Sequence, residues 1–600
     1  MQKTIRRDPR PLFGQPLSTS FHGVVFKISH DLFSSRQRQR FFAGLVFSLT
    51  LPLLAQANVK LPLFFSDHMV LQRDMKVPVW GTADPGEDVT VTFGDKNAET
   101  KADANGKWRV DLDPSPANAT SQTLTVKGNN TVVFSDILVG DVWICSGQSN
   151  MGIQLGESYH ADTDVPAAND PLLRLFKVSD GTSIKPEEDV ELVNKKQWLP
   201  CTPDEAKQFT AVGYFYGREL RKDINIPIGL IASIKGGTTA QLWTPVEAIE
   251  KNVDADPAFK DWLTKRQQTI DAYPQAEAAY LPIKAKYDQD MKDWWTNVGN
   301  APDYVAAMKA WNVANDQARA AGNPPLPKPQ PSQPRPVEPV PPDGGPFNDY
   351  MVGTLFNAMI APLIPMAIKG VIWYQGESNG DHAKQYGVLF PSMITGWREK
   401  WGQGDFPFLF MQLPLSGKPA TEPVPPLDKW PVLRESQAKA LALPNTGMAV
   451  IIDVGDPYNV HGKDKYDPGY RLSLIGRHVV YGENIVYTGP TYDSMKVDGN
   501  KIVISFKNIG SGLVIGTAPW TPSGQIPPVA DELKGFAIAG DDKKWVQANA
   551  QIVGDTVEVS SDQVPNPVAV RYGWADNPPC NLYNQEKLPA APFRTDDWEP

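Results

Sequence analysis

Five apolar runs constrain the fold of this chain more than any other feature: Ile137–Cys145, Ile228–Ile234, Gly370–Tyr374, Phe406–Gln412 and Met448–Asp453. Each is too short for a helix and apolar at nearly every residue, as a strand covered on both faces reads. Helical patterns separate them. Between Tyr386 and Trp401 the apolar residues Tyr386, Leu389, Phe390, Met393, Ile394, Trp397 and Trp401 fall on one face. Val212, Phe215 and Leu220 give a shorter helical face, and Tyr470 to Val480 another. Strands alternating with helices imply an α/β core, a parallel sheet covered on both sides, here placed at residues 136–484.

The core is flanked and interrupted. Residues 58–135 hold short alternating runs such as Val89-Thr90-Val91-Thr92-Phe93, broken by Asp84-Pro85-Gly86 and Asn105-Gly106, which predicts an N-terminal β-sandwich-like domain. Alternation returns over 485–600, in Lys501–Lys507, Gly535–Ala539, Ala550–Val553, Thr556–Ser560 and Val568–Tyr572, which predicts a C-terminal β-domain. Its close, Pro592 to Trp598, is aromatic enough to be expected docked. An insertion at about 247–346 carries no strand signal, reads as helices, and closes in a polyproline tract expected to strap the surface. Trp294 and Trp295 in it are read as packing residues, with a glycan-binding surface as the competing role.

A net charge of −10 with no basic patch gives no sign of a nucleic-acid partner. Three cysteines, Cys145, Cys201 and Cys580, make no disulfide framework; a Cys201–Cys580 pair stays open, and no spacing of His and Cys marks a metal site. Arg36, Arg38 and Arg40 precede the apolar run Phe41–Leu54 and then Ala55-Gln56-Ala57, so residues 1–57 read as a signal peptide cleaved near Ala57. The basic lead-in is long for such a signal, which leaves a start downstream of Met1 open. The mature chain is expected to be secreted or periplasmic, without a membrane span.

Ligands of open α/β sheets bind outside the carboxyl ends of the strands, so the residues just after each run make up the candidate site. Val139 to Met151 ends in Ser146-Gly147-Gln148-Ser149-Asn150-Met151. The second run leads into Lys235-Gly236-Gly237-Thr238, the third into Gln375-Gly376-Glu377-Ser378-Asn379, and the last into Val454-Gly455-Asp456 and then His461. A hydroxyl, glycine-rich backbone, amides, carboxylates and an imidazole are the groups acyl transfer uses. Beyond residue 57 the histidines are His68, His160, His382, His461 and His478, and His461 alone sits in a long polar loop after a core strand. Ser149 is therefore the candidate nucleophile and His461 its base. The Ser149 and Gly237 N–H groups and the Gln375 amide are candidate oxyanion donors. Asn150, Glu377 and Asn379 are supporting or substrate-binding candidates. The nucleophile-elbow pattern G-x-S-x-G is absent.

Gly140-Asp141-Val142-Trp143 with Ser146 to Met151 resembles the nucleophile motif of the sialate O-acetylesterase family, part of the SGNH (GDSL-like) hydrolase superfamily. Gly236-Gly237-Thr238, Trp373 to Asn379, Trp397-Arg398 and Arg571-Tyr572-Gly573-Trp574 match it in the same order. The resemblance implies a flavodoxin-like three-layer α/β/α SGNH domain whose serine removes acetyl groups from sugar hydroxyls, without metal or organic cofactor. The substrate it implies is an O-acetylated carbohydrate, sialate 9-O-acetyl esters first. A deacetylase of acetylxylan or another plant glycan is the alternative, and a non-catalytic secreted glycan-binding protein the alternative of another class. The chain departs from the family around the base, where Asp-Ile-His-Pro becomes Asn459-Val460-His461-Gly462. Asp456 is taken as the acid that orients His461, with Asp453 next, and a Ser–His dyad held by a backbone carbonyl third.

Overall fold

A computed structural model describes residues 58–320, 326–339, 351–426, 428–517 and 531–598; the expected signal peptide lies outside them. The spine is one strand, Thr131–Gly147. Its first part pairs antiparallel with Asn118–Lys127 and parallel with Val70–Gln72. Its second part lies between the parallel strands Ile228–Ile234 and Gly370–Tyr374. The expected boundary at 135/136 thus falls inside a continuous strand. Residues 131–136 alternate between exposed and half-buried, and every residue from Ile137 onward is buried. The change of period marks where a second face becomes covered, and the strand carries on there through a bulge in which Asp136 takes φ +56°.

Across the main sheet the order is Thr446–Ala449, Phe408–Met411, Gly370–Tyr374, Thr131–Gly147, Ile228–Ile234, Asp170–Lys177, all parallel, with Leu199–Cys201 antiparallel at the edge. The five expected runs therefore stand in the order 5-4-3-1-2, reversing direction beside the first. Asp170–Lys177 was not expected as a strand because Pro171, Arg174 and Lys177 break its apolar text. The last strand ends at Ala449, short of the expected Asp453. Arg471 takes the Val450 carbonyl at 2.8 Å and the Asp453 carboxylate at 2.6 and 2.8 Å, so side-chain bonds replace the ladder there.

Alternation along the strands sets three layers. Trp143 and Cys145 point to one face, where Trp143 meets Tyr216 edge-on at 5.1 Å and Cys145 lies under Gly213 of the helix Ala211–Ile224. The helix Tyr466–Ile475 covers the same face, Ile475 closing over Gly447. Trp373 stands in register with Ser146, on the opposite face, and packs against Trp243, Phe390 and Trp397 at 5.8, 6.3 and 6.0 Å. The helix Ala383–Trp401 supplies the last two.

The insertion is helical, with Val246–Lys251, Pro257–Trp294 and Pro302–Ala320. Trp294 is buried and its indole N–H donates to the Gln333 carbonyl at 2.9 Å, while Trp311 donates to the Leu326 carbonyl at 3.1 Å. The described part of the proline-rich tract is thus strapped onto the helices by tryptophans. Residues 491–594 carry antiparallel strands around a second core that includes Ile502, Phe536, Val557 and Tyr572. The chain end is docked: Phe593–Arg594 pairs with Ala569–Tyr572, and the enclosed Asp596 carboxylate binds Arg571 at 2.6 and 2.8 Å. Cys145, Cys201 and Cys580 are all free, so the open Cys201–Cys580 pairing is not made.

Candidate active site

The strand ends converge where the order reverses. Gly147 turns the long strand at φ +134°, and a Cβ there would stand 2.1 Å from the Tyr374 carbonyl oxygen, so only glycine permits this approach. The Gln148 N–H then donates to the Tyr374 carbonyl at 3.0 Å, and the Lys235 N–H to the Gly147 carbonyl at 3.2 Å. These bonds seat the Lys235–Thr238 loop beside the serine; a Cβ on Gly236 would lie 3.5 Å from Ser149 Cβ. Ser149 itself opens the short helix Ser149–Gly152 and is half-buried. Among the described residues, no acceptor takes the backbone N–H of Ser149 or Gly237.

His461 reaches this edge from the loop after the last strand, with Nε2 2.8 Å from Ser149 Oγ. Partial burial, aided by the Lys465 ammonium and opposed by Glu157, holds its pKa below the ordinary histidine value, which favours the neutral, proton-accepting ring. His68 is bound to Asp136 and His478 to the Glu483 carbonyl, His160 precedes the helix Ala161–Ala167, and His382 ends the turn Glu377–His382.

The candidate acids lie elsewhere. Asp456 Oδ1 accepts the Tyr458 N–H at 2.8 Å, closing a turn within its own loop, and the only bond of the His461 ring among the described residues goes to Ser149. Asp453 is engaged by Arg471 and by the Tyr583 hydroxyl at 3.0 Å. The structure brings neither carboxylate to Nδ1. Tyr458, by contrast, is 85% exposed.

Gln375 is brought to the site but not turned into it. Fully buried, it points its amide N–H groups at Thr238 O and Asn379 Oδ1 (3.1 and 2.7 Å), and its Oε1 accepts from Tyr386 at 2.9 Å. Asn379 in turn accepts the Ala240 N–H at 2.9 Å and donates to Gln241 Oε1 at 2.8 Å. These amides brace the loop that carries Gly237, a use the motif alone does not reveal.

Beneath the serine lies a charged network. Glu377 accepts from Gln148 Nε2 and Asn150 Nδ2, both at 2.6 Å, so the residues on either side of Ser149 hang on one carboxylate. Asn150 also donates to the Val460 carbonyl at 2.9 Å and accepts from Lys465 Nζ at 2.8 Å. Burial pushes the Glu377 carboxyl up, with the Asn150 bond and the Lys465 charge pulling against it, and burial brings Lys465 down to about 8. The family resemblance leads one to expect a lysine soon after the base, and here both Lys463 and Lys465 follow His461, so the sequence does not tell the two apart. A lysine among Asp, Gly and Lys reads as solvated, and only the fold shows that it is buried.

A mostly parallel sheet with a serine hydroxyl and an imidazole in contact at its carboxyl edge defines the class: an α/β hydrolytic enzyme. A carbohydrate acetylesterase of known structure from Xanthomonas citri is 35% identical, covers 90% of this chain and 100% of its own, and superposes with a TM-score of 0.67. The chain belongs to the sialate O-acetylesterase family and is an ester hydrolase. The family model described as carbohydrate esterase, sialic acid-specific acetylesterase matches residues 344–461. The sialate O-acetylesterases of Pongo abelii and Homo sapiens are 28% and 27% identical, each over 92% of this chain and 96% of their own. That of Mus musculus is 28% identical over 92% of this chain and 98% of its own. Among the described residues no helix is long and apolar enough to cross a membrane.

Proposed function

We propose that the chain is a serine-dependent carbohydrate O-acetylesterase with a flavodoxin-like SGNH core, exported after cleavage near Ala57. The 2.8 Å contact between Ser149 Oγ and a neutral His461 carries this reading. His461 Nε2 takes the Ser149 proton as Oγ attacks the acetyl carbonyl carbon, and the N–H groups of Ser149 and Gly237 receive the oxyanion. Collapse of the tetrahedral species breaks the bond to the sugar oxygen, which leaves with the proton from His461. Water, deprotonated by the same ring, then releases acetate and restores the serine. Gln375 serves by holding the Gly237 loop, and Asn150, Glu377 and Asn379 support the edge.

The mammalian relatives support acetylated sialic acid as the first substrate, and the 35% identical carbohydrate acetylesterase supports an acetylated carbohydrate in general, an acetylated plant glycan being the second reading. Acetate release from 9-O-acetylated sialic acid and from acetylated xylo-oligosaccharides, measured side by side, tests both. Ser149→Ala is expected to lose at least about a thousandfold in kcat while remaining folded. Undiminished turnover by that variant overturns the assignment.

A further inference from the structure

We infer that Lys465 is a positioning residue: with Glu377 it locks the Asn150 amide, which through the Val460 carbonyl sets His461 against Ser149. This rests on Ser149 as nucleophile and His461 as its base. In a Ser-His-Asp arrangement the orienting task falls to the acid, but here Asp456 and Asp453 are both engaged elsewhere. What the structure offers instead is a tether at both ends of the His461 loop. The carbonyl one residue before His461 and the ammonium four residues after it meet on the single side chain next to the nucleophile. Asn150 is 1% exposed and Lys465 2%, so water does not compete for these bonds. Glu377 fixes which way the Asn150 amide faces, because the Nδ2 that meets the carboxylate is the one that reaches Val460.

The groups facing Lys465 come from three elements. Glu377 lies on the turn after the third strand, and the Tyr374 ring is 5.5 Å from Nζ at the end of that strand. On its own loop Asp464 is buried, and its carboxyl is held well above the usual range by that burial and by Asp467, with Arg471 opposing. Lys465 therefore works as one positive charge balanced by Glu377. Its charge lowers the affinity of His461 for a proton, and the Glu157 carboxylate opposes it. The tether thus orients the base and also keeps it free to accept a proton.

Lys465→Met removes both the bond and the charge, whereas Lys465→Gln keeps a donor for Asn150 Oδ1 and removes the charge. With Lys465→Met, kcat is expected to fall about 10- to 100-fold with KM within about twofold, because the lost contact acts in the transition state. In both variants the acid limb of kcat/KM moves to higher pH, since losing a neighbouring cation raises the His461 pKa. Lys465→Gln retains more kcat than Lys465→Met. The rate of Ser149 labelling by a fluorophosphonate tracks kcat. A merely structural lysine would lower the folded fraction without moving the limb, and that result overturns the inference. So does a greater loss from Asp456→Asn than from Lys465→Met, which would return the orienting task to Asp456. Ser149→Ala and His461→Ala are assayed beside them. If those two keep turnover, the esterase reading fails. If they lose it while both Lys465 variants keep wild-type kcat and acid limb, only the positioning role of Lys465 fails.

Discussion

Arg434→Met is expected to cost about 3–5 kcal/mol of stability. The side chain is fully buried in the helix Trp430–Ala438 and donates to four carbonyls: Leu413 at 2.9 Å, Pro414 at 2.6 Å, Ala575 at 2.7 Å and Asp576 at 2.9 Å. It thereby binds the segment after the fourth core strand to the turn just beyond the Arg571–Trp574 motif. Burial brings the guanidinium down to about 10, which shows that it is held at a desolvation cost. Four carbonyls without a donor would cost about 1–3 kcal/mol each if all stayed dry. Partial rehydration and relief of the buried charge bring the net into the range for breaking a buried charged arrangement, about 3–5 kcal/mol. Arg434→Lys should lose most of this too, because a compact ammonium has three donors and no fork. Urea unfolding monitored by tryptophan fluorescence, with Trp430 5.8 Å from the guanidinium as a local reporter, measures the shift. A loss below about 1 kcal/mol with an unchanged slope would refute the reasoning, since it would mean the carbonyls find other donors at no cost.

Other expectations concern the site and the thiols. The acid limb of kcat/KM should lie below pH ~6.5: His461 acts as the neutral base and its folded pKa is depressed, so activity persists as pH falls until that lowered pKa is crossed. A limb above that value contradicts the electrostatics. Gly147→Ala should lower both stability and kcat, by about 2 kcal/mol or more in the unfolding free energy, because the new methyl meets the Tyr374 carbonyl in a left-handed backbone. Three thiols should react with a disulfide reagent in the unfolded chain and almost none at pH 8 in the native one, since burial raises Cys201 and Cys580 to about 12 and Cys145 further. A thiol count of one after unfolding would instead show a disulfide.

The strands of the core were legible because continuous burial leaves continuous apolar text, as in Ile228–Ile234 and Gly370–Tyr374. Asp170–Lys177 was not, because its Arg174 serves the carbonyls of His68 and Asp136 inside the fold and so looks polar in sequence. Lys96–Lys101 is a strand made only by its hairpin partner Asp88–Phe93, with no apolar side of its own. At the site, the pairing of Ser149 with His461 could be anticipated from strand ends and a short set of histidines. The orientation of Gln375 could not, because an amide beside a strand end can face the cavity or the next loop, and it takes Asn379 and Tyr386 nearby together with the distant Thr238 carbonyl to decide which. The same holds for Asp456, whose turn with Tyr458 is a local competitor for the carboxylate.

The strand Thr131–Gly147 spans roughly 55 Å at ~3.3 Å per residue, and its last residue is two before Ser149. A shear applied to the N-terminal sheet therefore travels along one covalent strand to the nucleophile, through the bulge at Asp136, where φ is +56°. Cutting the gene at residue 135 would keep the core's own pairing at Asp141–Gly147 but separate Leu138–Gly140 from its partner Val70–Gln72. The two sheets should accordingly melt in one transition, and recombination between relatives should tolerate crossovers in the Lys235 or His461 loops better than anywhere along this strand.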